Sequence, residues 1–571
     1  MMKTGFMKLL TSAIILLFIG IAYAPSIITS EPTSNQTVYY DETGSLSGFV
    51  KDASMNPIEG AVIRAVCGEN YFENVSDSSG YYYIDNMPLI FCLWNVSASK
   101  AGYKTIWVEM SIGENTTYDF VLMPFGKTLY VGGSGDGNYT AIQSAIDDAN
   151  NGDTVFVYSG TYYENVVVNK TIALTGEDRV TTVIDGDKND EALYVSADNC
   201  IIRRFTMQNG YYNTVSIGSS NNILTENIIT HAVDYGISID KPSRNNTISY
   251  NLLSNNGYCS IKLASSGNII SKNILRGINI ISSGNFIIDN TFFNRGISIY
   301  YLSIAPPSYP NIVINNTING KRLVYWDGES NKLIENDAGQ IILMKCNNIT
   351  VENLEISNVS TGILLFKTND CHIRNNSISS VGCGIRLYDS SNNNTILDNN
   401  ISFNGGIGIL LGNCSNSIIS SNVISNNWDG IYMEKPSPKP NVIYLNKNTI
   451  ISGNVISSNR RFNIFFTSSL NTYVYRNNIT YAGNNAFPSL SIYSSFFTKI
   501  EQNNFIDNAI DARFTKAYFC HWKGNYWDEP RFLPYPIYGR ISDRPPYYIP
   551  WINLDWHPAK EPYDIPILEV S

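Results

Sequence analysis

The sequence predicts an all-β protein whose main body is a right-handed parallel β-helix, preceded by a small β-sandwich. Three observations carry that prediction: an Asn-led motif returns at a fixed beat, a Gly-led motif keeps the same beat, and short strands bounded by turn residues fill the space between. At 571 residues the chain is too long for one ordinary globular core, which favours an elongated repeat array.

The N-terminus reads as an export signal over residues 1–24. Lys3 and Lys8 precede an apolar run from Leu9 to Ile21 that ends at the small-residue pattern Ala22-Tyr23-Ala24. Pro25 disfavours cleavage there, so an uncleaved membrane anchor is the alternative. Residues 25–44 are polar and Ser/Thr-rich, as a flexible linker is. The chain is therefore expected outside the cytoplasm, secreted or at the cell surface. Sequons at Asn74, Asn115, Asn245, Asn393 and Asn478 agree with a glycoprotein, although an Asn-, Ser- and Thr-rich chain generates them by chance.

From Gly48 to Asp52 and again from Pro57 to Ile63, apolar and polar residues alternate around a Pro/Gly turn, which predicts a β-hairpin. A second hairpin is expected from Asp77-Ser78-Ser79-Gly80 feeding Tyr81 to Ile84, followed by Trp94 to Ala98 and Lys100 to Lys104. Cys67 and Cys92 fall inside this module, where a disulfide and two buried free thiols are both open readings. The order of these segments resembles the carboxypeptidase regulatory-like family over residues 45–124. That resemblance implies a transthyretin-like sandwich with a non-catalytic role in spacing, stability or weak sugar contact.

The β-helix is expected over residues 127–515. Thr140 to Ile146 has apolar residues at helical spacing behind Thr140 as N-cap, and such a helix would seal the open end of the first coil. Short strands then begin at Thr154 to Tyr158, Gly160 to Val168 and Ile172 to Leu174. With Thr181 to Gly186 this stretch is similar to the pectin-lyase-like superfamily. The Asn motif follows at Asn227, Asn251, Asn273, Asn376, Asn399, Asn422, Asn454 and Asn477, roughly 22 to 24 residues apart where uninterrupted, a solenoid period. Gly362, Gly384, Gly408 and Gly430 mark the companion strand. Inward Ile, Val and Leu would form the core, and the Asn side chains would bond their stacked neighbours at one corner. Roughly 16 coils at about 4.8 Å each give a length on the order of 80 Å. Cys200, Cys259, Cys346, Cys371, Cys383 and Cys414 read as small core residues.

The beat breaks at Tyr301 to Pro310, at Lys321 to Gln340 around Trp326, and at the Pro-rich Glu434 to Pro440; such insertions map to one face and often bind. Residues 516–571, rich in Pro and aromatics, predict an irregular lid on the last coil. Asn525-Tyr526-Trp527-Asp528, Asn319-Gly320-Lys321 and Asp337 to Leu343 resemble the NosD-type β-helix family across most of residues 128–530. That family is named for a periplasmic accessory protein in copper-site maturation, so the resemblance implies a metal-site accessory role.

Charged residues are 15% of the chain and the net charge is −10. No basic cluster is present, which argues against nucleic acid as a partner. Lytic or hydrolytic β-helices need carboxylates gathered on one face; Asp185, Asp187 and Asp190 form the densest acidic loop and are the candidate Ca²⁺ ligands. As a Gly/Asp turn the loop also has a purely structural reading. Copper would require His, Met or Cys ligands brought together; His231, His372, His521 and His557 are the only histidines, and Cys371-His372 and Cys520-His521 are the two adjacent soft pairs. Trp326, Trp428, Trp522 and Trp527 are the candidate sugar-stacking rings. The reading expected from these residues is a secreted or surface-anchored protein that binds or organises extracellular polysaccharide, with catalysis left unassigned. A polysaccharide lyase, hydrolase or epimerase is the first alternative and a copper-site accessory protein the second.

Overall fold

The computed structural model describes residues 43–67, 70–89, 93–124, 126–299, 310–434, 446–482, 486–542 and 549–565. The export segment, Cys92, and most of the Tyr301 and Pro-rich loops lie outside the described residues.

The N-terminal module is two four-stranded sheets. Thr43–Asp52 pairs antiparallel with Tyr81–Pro88 and parallel with Thr116–Thr117 and Phe120–Leu122. Asn70–Val75, Val62–Cys67, Trp94–Ser99 and Ile106–Met110 make the other sheet. The first predicted hairpin is formed only in its tip, where an antiparallel bridge joins Lys51 to Pro57, Asp52 N donates to Asn56 O and Ile58 N donates to Val50 O; Val62–Cys67 does not extend it but lies in the other sheet. The intervening Pro/Gly turn carries the chain across the sandwich instead. Leu46, Val50, Ile63, Tyr82, Trp94 and Phe120 fill the core, and Cys67 is disulfide-bonded.

The module leans on the solenoid. Ile269 and Phe286 of the solenoid pack into its core, the Lys272 ammonium pairs with the Glu109 carboxylate, and Ser271 Oγ donates to Glu109 Oε2 at 3.2 Å.

The rest of the chain is a parallel β-solenoid of about 17 turns. One side sheet of nine strands runs from Thr128–Val131 to Ile312–Ile314, and a second of nine runs from Ser330–Glu335 to His521–Lys523. A 24-stranded sheet, called the long sheet below, extends along the whole body. Inward side chains such as Ile202, Leu224, Ile248 and Ile270 stack rung on rung at 0 to 1% exposure. The one α-helix among the described residues, α1 (Ile142–Asp148), sets Ile142, Ala145 and Ile146 into this core at its N-terminal end. Its N-cap differs from expectation: Ala141 takes that place and makes no side-chain cap bond. The Glu164 carboxylate, from the first coil, instead accepts the N–H groups of Ile142 and Gln143 at 2.8 and 2.9 Å.

The Asn ladder is present. The backbone N–H of each ladder Asn donates to the next coil's Oδ1, running Asn227, Asn251, Asn273, Asn290, Asn316 at 2.9 to 3.0 Å. A second row in the same coils runs Asn222, Asn246, Asn268, Asn285, Asn311. After the break the first row resumes through Asn376, Asn399, Asn422, Asn454, Asn477, Asn503 and Asn525. In the first row each Nδ2 also bonds a carbonyl of the preceding rung, and several bond one of their own, as Asn422 does to Ile396 and Ser420. The residue just before each Asn is left-handed, for example Glu226, Tyr250 and Lys272 at φ 58, 55 and 53°. That conformation costs about 1–2 kcal/mol for a non-glycine, and the two or three buried hydrogen bonds of each Asn, about 1 kcal/mol net apiece, offset it.

Two expectations about irregular segments are corrected. Lys321 to Gln340 is not an excursion but part of the body: Lys321–Asp327 pairs antiparallel with Thr317–Ile318 and parallel with Ala338–Met344, while Ser330–Glu335 founds the second side sheet. The tail is also ordered, because Tyr535–Ser542 and Ile549–Asp555 form an antiparallel hairpin that adds to the last strand of the long sheet at Phe514 and Thr515.

Candidate functional site on the outer face of the long sheet

Strand alternation places every second residue of the long sheet on its outer face. From coil to coil these line up as one column: Tyr194, Ser216, Ser238, Lys262, Asn279 and Ser298. Tyr235 and Tyr258 flank it, their rings edge to face at 5.5 Å, and Tyr235 Oη accepts from Asn279 Nδ2 at 3.2 Å. Past the break the column turns apolar, with Ile342, Leu364, Arg386, Leu410, Tyr432 and Phe465 in register.

At the junction the strands part. Thr291–Ile299 no longer has a full neighbour, and the Gln340 side chain bridges the gap, bonding both backbone groups of Ile297 and the carbonyl of Thr361. A cavity of about 380 Å³ opens there, lined among others by Asn294, Arg295, Ser298, Gln340, Ser360, Thr361, Cys383 and Arg386. Among the described residues that line it there is no carboxylate.

The two arginines set the electrostatics. Arg295 lies over the Tyr258 ring at 4.5 Å and Arg386 over the Tyr388 ring at 4.6 Å, which fixes both planes. The Nε of each is buried and has no hydrogen-bond acceptor. An unmade buried N–H costs about 1–3 kcal/mol, so the cavity is short of acceptor oxygens. Two nearby cations are paired, Arg461 with Asp429 and Lys262 with Asp240. Among the described residues no carboxylate comes within ion-pair distance of Arg295 or Arg386. The nearest influence is Glu434, whose carboxyl burial holds above its ordinary range against the opposing charge of Arg386.

The sequence-predicted residues are distributed differently. Trp522 and Trp527 are 3% and 1% exposed; Trp527 stacks between Phe505 and Tyr535, so both rings belong to the core of the last coils rather than to a binding surface. Trp326 is partly buried against the core with Lys332 over its ring at 5.3 Å. Trp428 is 41% exposed, but Arg460 lies 4.5 Å over its ring.

In the acidic loop, the Asp185 carboxylate is buried and accepts from Gln208 Nε2, Asn209 Nδ2 and the Asp187 N–H at 2.7 to 3.1 Å. Despite the opposing penalty of burial, those bonds hold it below its usual range. Asp190 turns to its neighbour's backbone, accepting from Glu191 N at 2.9 Å, and Asp187 is exposed.

The Cys-His pairs split across the sheet. Cys371 is buried and His372 exposed, as alternation requires, and burial raises the Cys371 thiol to about 11. Cys520 is likewise raised to about 11 by burial while His521 points outward, 3.5 Å from Glu501. Among the described residues no three His, Cys, Asp or Glu side chains gather into a metal-sized group.

Sequence reasoning missed Arg295 and Arg386, which lie far apart in the chain and carry no local signal. It could have found the second Asn row, because Asn222 and Asn227, Asn246 and Asn251, and Asn268 and Asn273 share one spacing.

Comparison with solved structures returns β-helical polysaccharide enzymes at low similarity. The A-module of mannuronan C-5 epimerase AlgE6 from Azotobacter vinelandii is 12% identical, covering 68% of this chain and 88% of that one, with a TM-score of 0.28. Alginate lyase from Paenibacillus sp. str. FPU-7 is 14% identical, covering 54% and 98%, with a TM-score of 0.26. The catalytic domain of a GH87 α-1,3-glucanase is 13% identical, covering 77% and 88%, with a TM-score of 0.26. At those values they carry no weight for this chain's chemistry. No curated protein matches.

Family comparisons are firmer. Residues 45–123 match the carboxypeptidase regulatory-like domain, and residues 395–518 match the right-handed β-helix region. Residues 146–333 and 327–447 match the family described as periplasmic copper-binding protein (NosD). Together those two stretches span more than half of the sequence, and the chain belongs to the NosD family.

Proposed function

We propose that the protein is exported and binds or organises extracellular polysaccharide along the outer face of its long sheet, without cleaving it. The observation that carries this reading is the column from Tyr194 to Ser298. Tyr194, Ser216, Lys262 and Ser298 offer hydroxyl and ammonium groups along it, on coils about 4.8 Å apart, while Ser238 and Asn279 are buried beneath the surface beside the Tyr235 ring. Hydroxyls and amides match sugar hydroxyls, and flat rings match sugar faces. A regular polymer suits a regular surface.

The N-terminal segment from Lys3 to Ala24 supports export, and among the described residues no helix is long and apolar enough to cross a membrane. The copper named in the family description is not fitted by the donors described: Cys371 and Cys520 face the core while His372 and His521 face outward. Hydrolysis of a glycosidic linkage would call for a pair of carboxylates about it, and the described residues that line the cavity supply none.

Affinity electrophoresis against a panel of neutral and acidic polysaccharides tests the reading, with parallel assays for new reducing ends and unsaturated products, with and without Ca²⁺. Retardation without product is expected. Product formation would move the protein to the lyase, hydrolase or epimerase class, and absence of retardation by any polymer would remove the proposal.

A further inference from the structure

We infer that Arg295 and Arg386 form a subsite for a carboxylate of the bound polymer, so that the ligand is an acidic polysaccharide built from uronate residues. This rests on the proposed function and names its substrate class.

Four observations converge. Arg295 and Arg386 are both among the residues that line one cavity of about 380 Å³. Each has a buried Nε with no acceptor, and neither is in an ion pair among the described residues. Each plane is held by stacking on a tyrosine, so little side-chain freedom remains to be lost on binding. A guanidinium presents parallel N–H groups that match the two oxygens of a carboxylate. Ser298 and Thr361 line the same cavity and would offer hydroxyls to the sugar ring, whereas the Ser360 hydroxyl is engaged with Ile297 O and Gln340 Nε2. The protein's net charge of −10 repels acidic polymers in general, so a preference for one must come from a local positive site such as this.

The full-length protein is titrated with polygalacturonate, a sulfated glycosaminoglycan and neutral pullulan at fixed ionic strength. The same titrations are run on Arg295→Gln, Arg386→Gln, Arg386→Lys and the surface control Lys523→Gln. Polygalacturonate is expected to bind tightest, and each Arg→Gln change should weaken it by about tenfold or more while leaving pullulan binding unchanged. The Lys variant should recover only part of the loss, and the control none of the effect. Equal affinity for neutral and acidic polymers, or unaltered polygalacturonate binding by folded Arg→Gln variants, would overturn the subsite and leave the proposed function standing. Tighter binding of the sulfated polymer would overturn the carboxylate assignment.

If no polymer binds, the proposed function fails, and the subsite is decided separately by phenylglyoxal labelling of the wild-type protein. Protection of Arg295 and Arg386 by free galacturonate supports it, and equal labelling with and without galacturonate overturns it.

Discussion

Gln340 stands in for a missing strand beside Ile297: its Oε1 accepts the Ile297 N–H and its Nε2 donates to the Ile297 carbonyl, both at 2.9 Å. The side chain is fully buried, so it is the seam between the two halves of the solenoid. Replacing it with methionine, similar in length but without the amide, leaves the Ile297 groups and the Thr361 carbonyl unpaired. Gln340→Met should lower unfolding free energy by about 2–4 kcal/mol, read by denaturant titration. Amide exchange at Ile297 should accelerate more than exchange at Ile248.

Glu164 caps α1 from outside the helix. Glu164→Ala should cost about 1 kcal/mol, the usual value of a lost cap. Exchange of the Ile142 and Gln143 amides should rise first, and a change confined to the second half of the chain would contradict the assignment.

Asp511 sits under the terminal hairpin, where burial raises its carboxyl to about 6. Tyr535 Oη donates to it at 2.8 Å and Asn508 Nδ2 bonds it at 3.3 Å; the charges of Asp528 and Arg531 act in opposite directions. Because the folded value lies above the unfolded one near 4, its contribution is complete below pH 4 and is lost as pH rises through 6. Thermal unfolding followed between pH 4 and 7 should show the hairpin loosening with rising pH, and Asp511→Asn should flatten that dependence.

Asn422 makes four hydrogen bonds with its amide and backbone N–H inside the ladder. Asn422→Ala should destabilise by about 2–4 kcal/mol, and the loss should be shared by coils on both sides because Asn399 loses its acceptor. Serine or threonine there should recover little, since neither reaches both neighbours.

The coil architecture was legible because each rung solves the same problem with the same residues. Asn227, Asn251 and Asn273 recur with the left-handed turn before them, and the inward Ile and Val keep their phase. The terminal hairpin was not, since Tyr535–Ser542 gains its strand form from the exposed edge at Phe514 rather than from its own alternation. The tryptophans misled for a related reason. Trp522 and Trp527 occupy inward rung positions, and their size suggested a surface role that packing assigns to the last coils' core. Arg295 and Arg386 were silent because their nearness depends on how the strands part at Gln340, a break in the repeat rather than a part of it.

The row of asparagines has a direction, each passing a hydrogen forward to the next oxygen, and it ends at Asp555. That buried carboxylate receives Asn525 N, Asn525 Nδ2, Gly524 N and Trp527 Nε1 and has no N–H of its own side chain to hand on. It therefore works as a chain terminator for assembly. A molecule trimmed before residue 549 would present Asn525 as an unanswered donor above an unpaired β edge, and copies should join end to end into filaments.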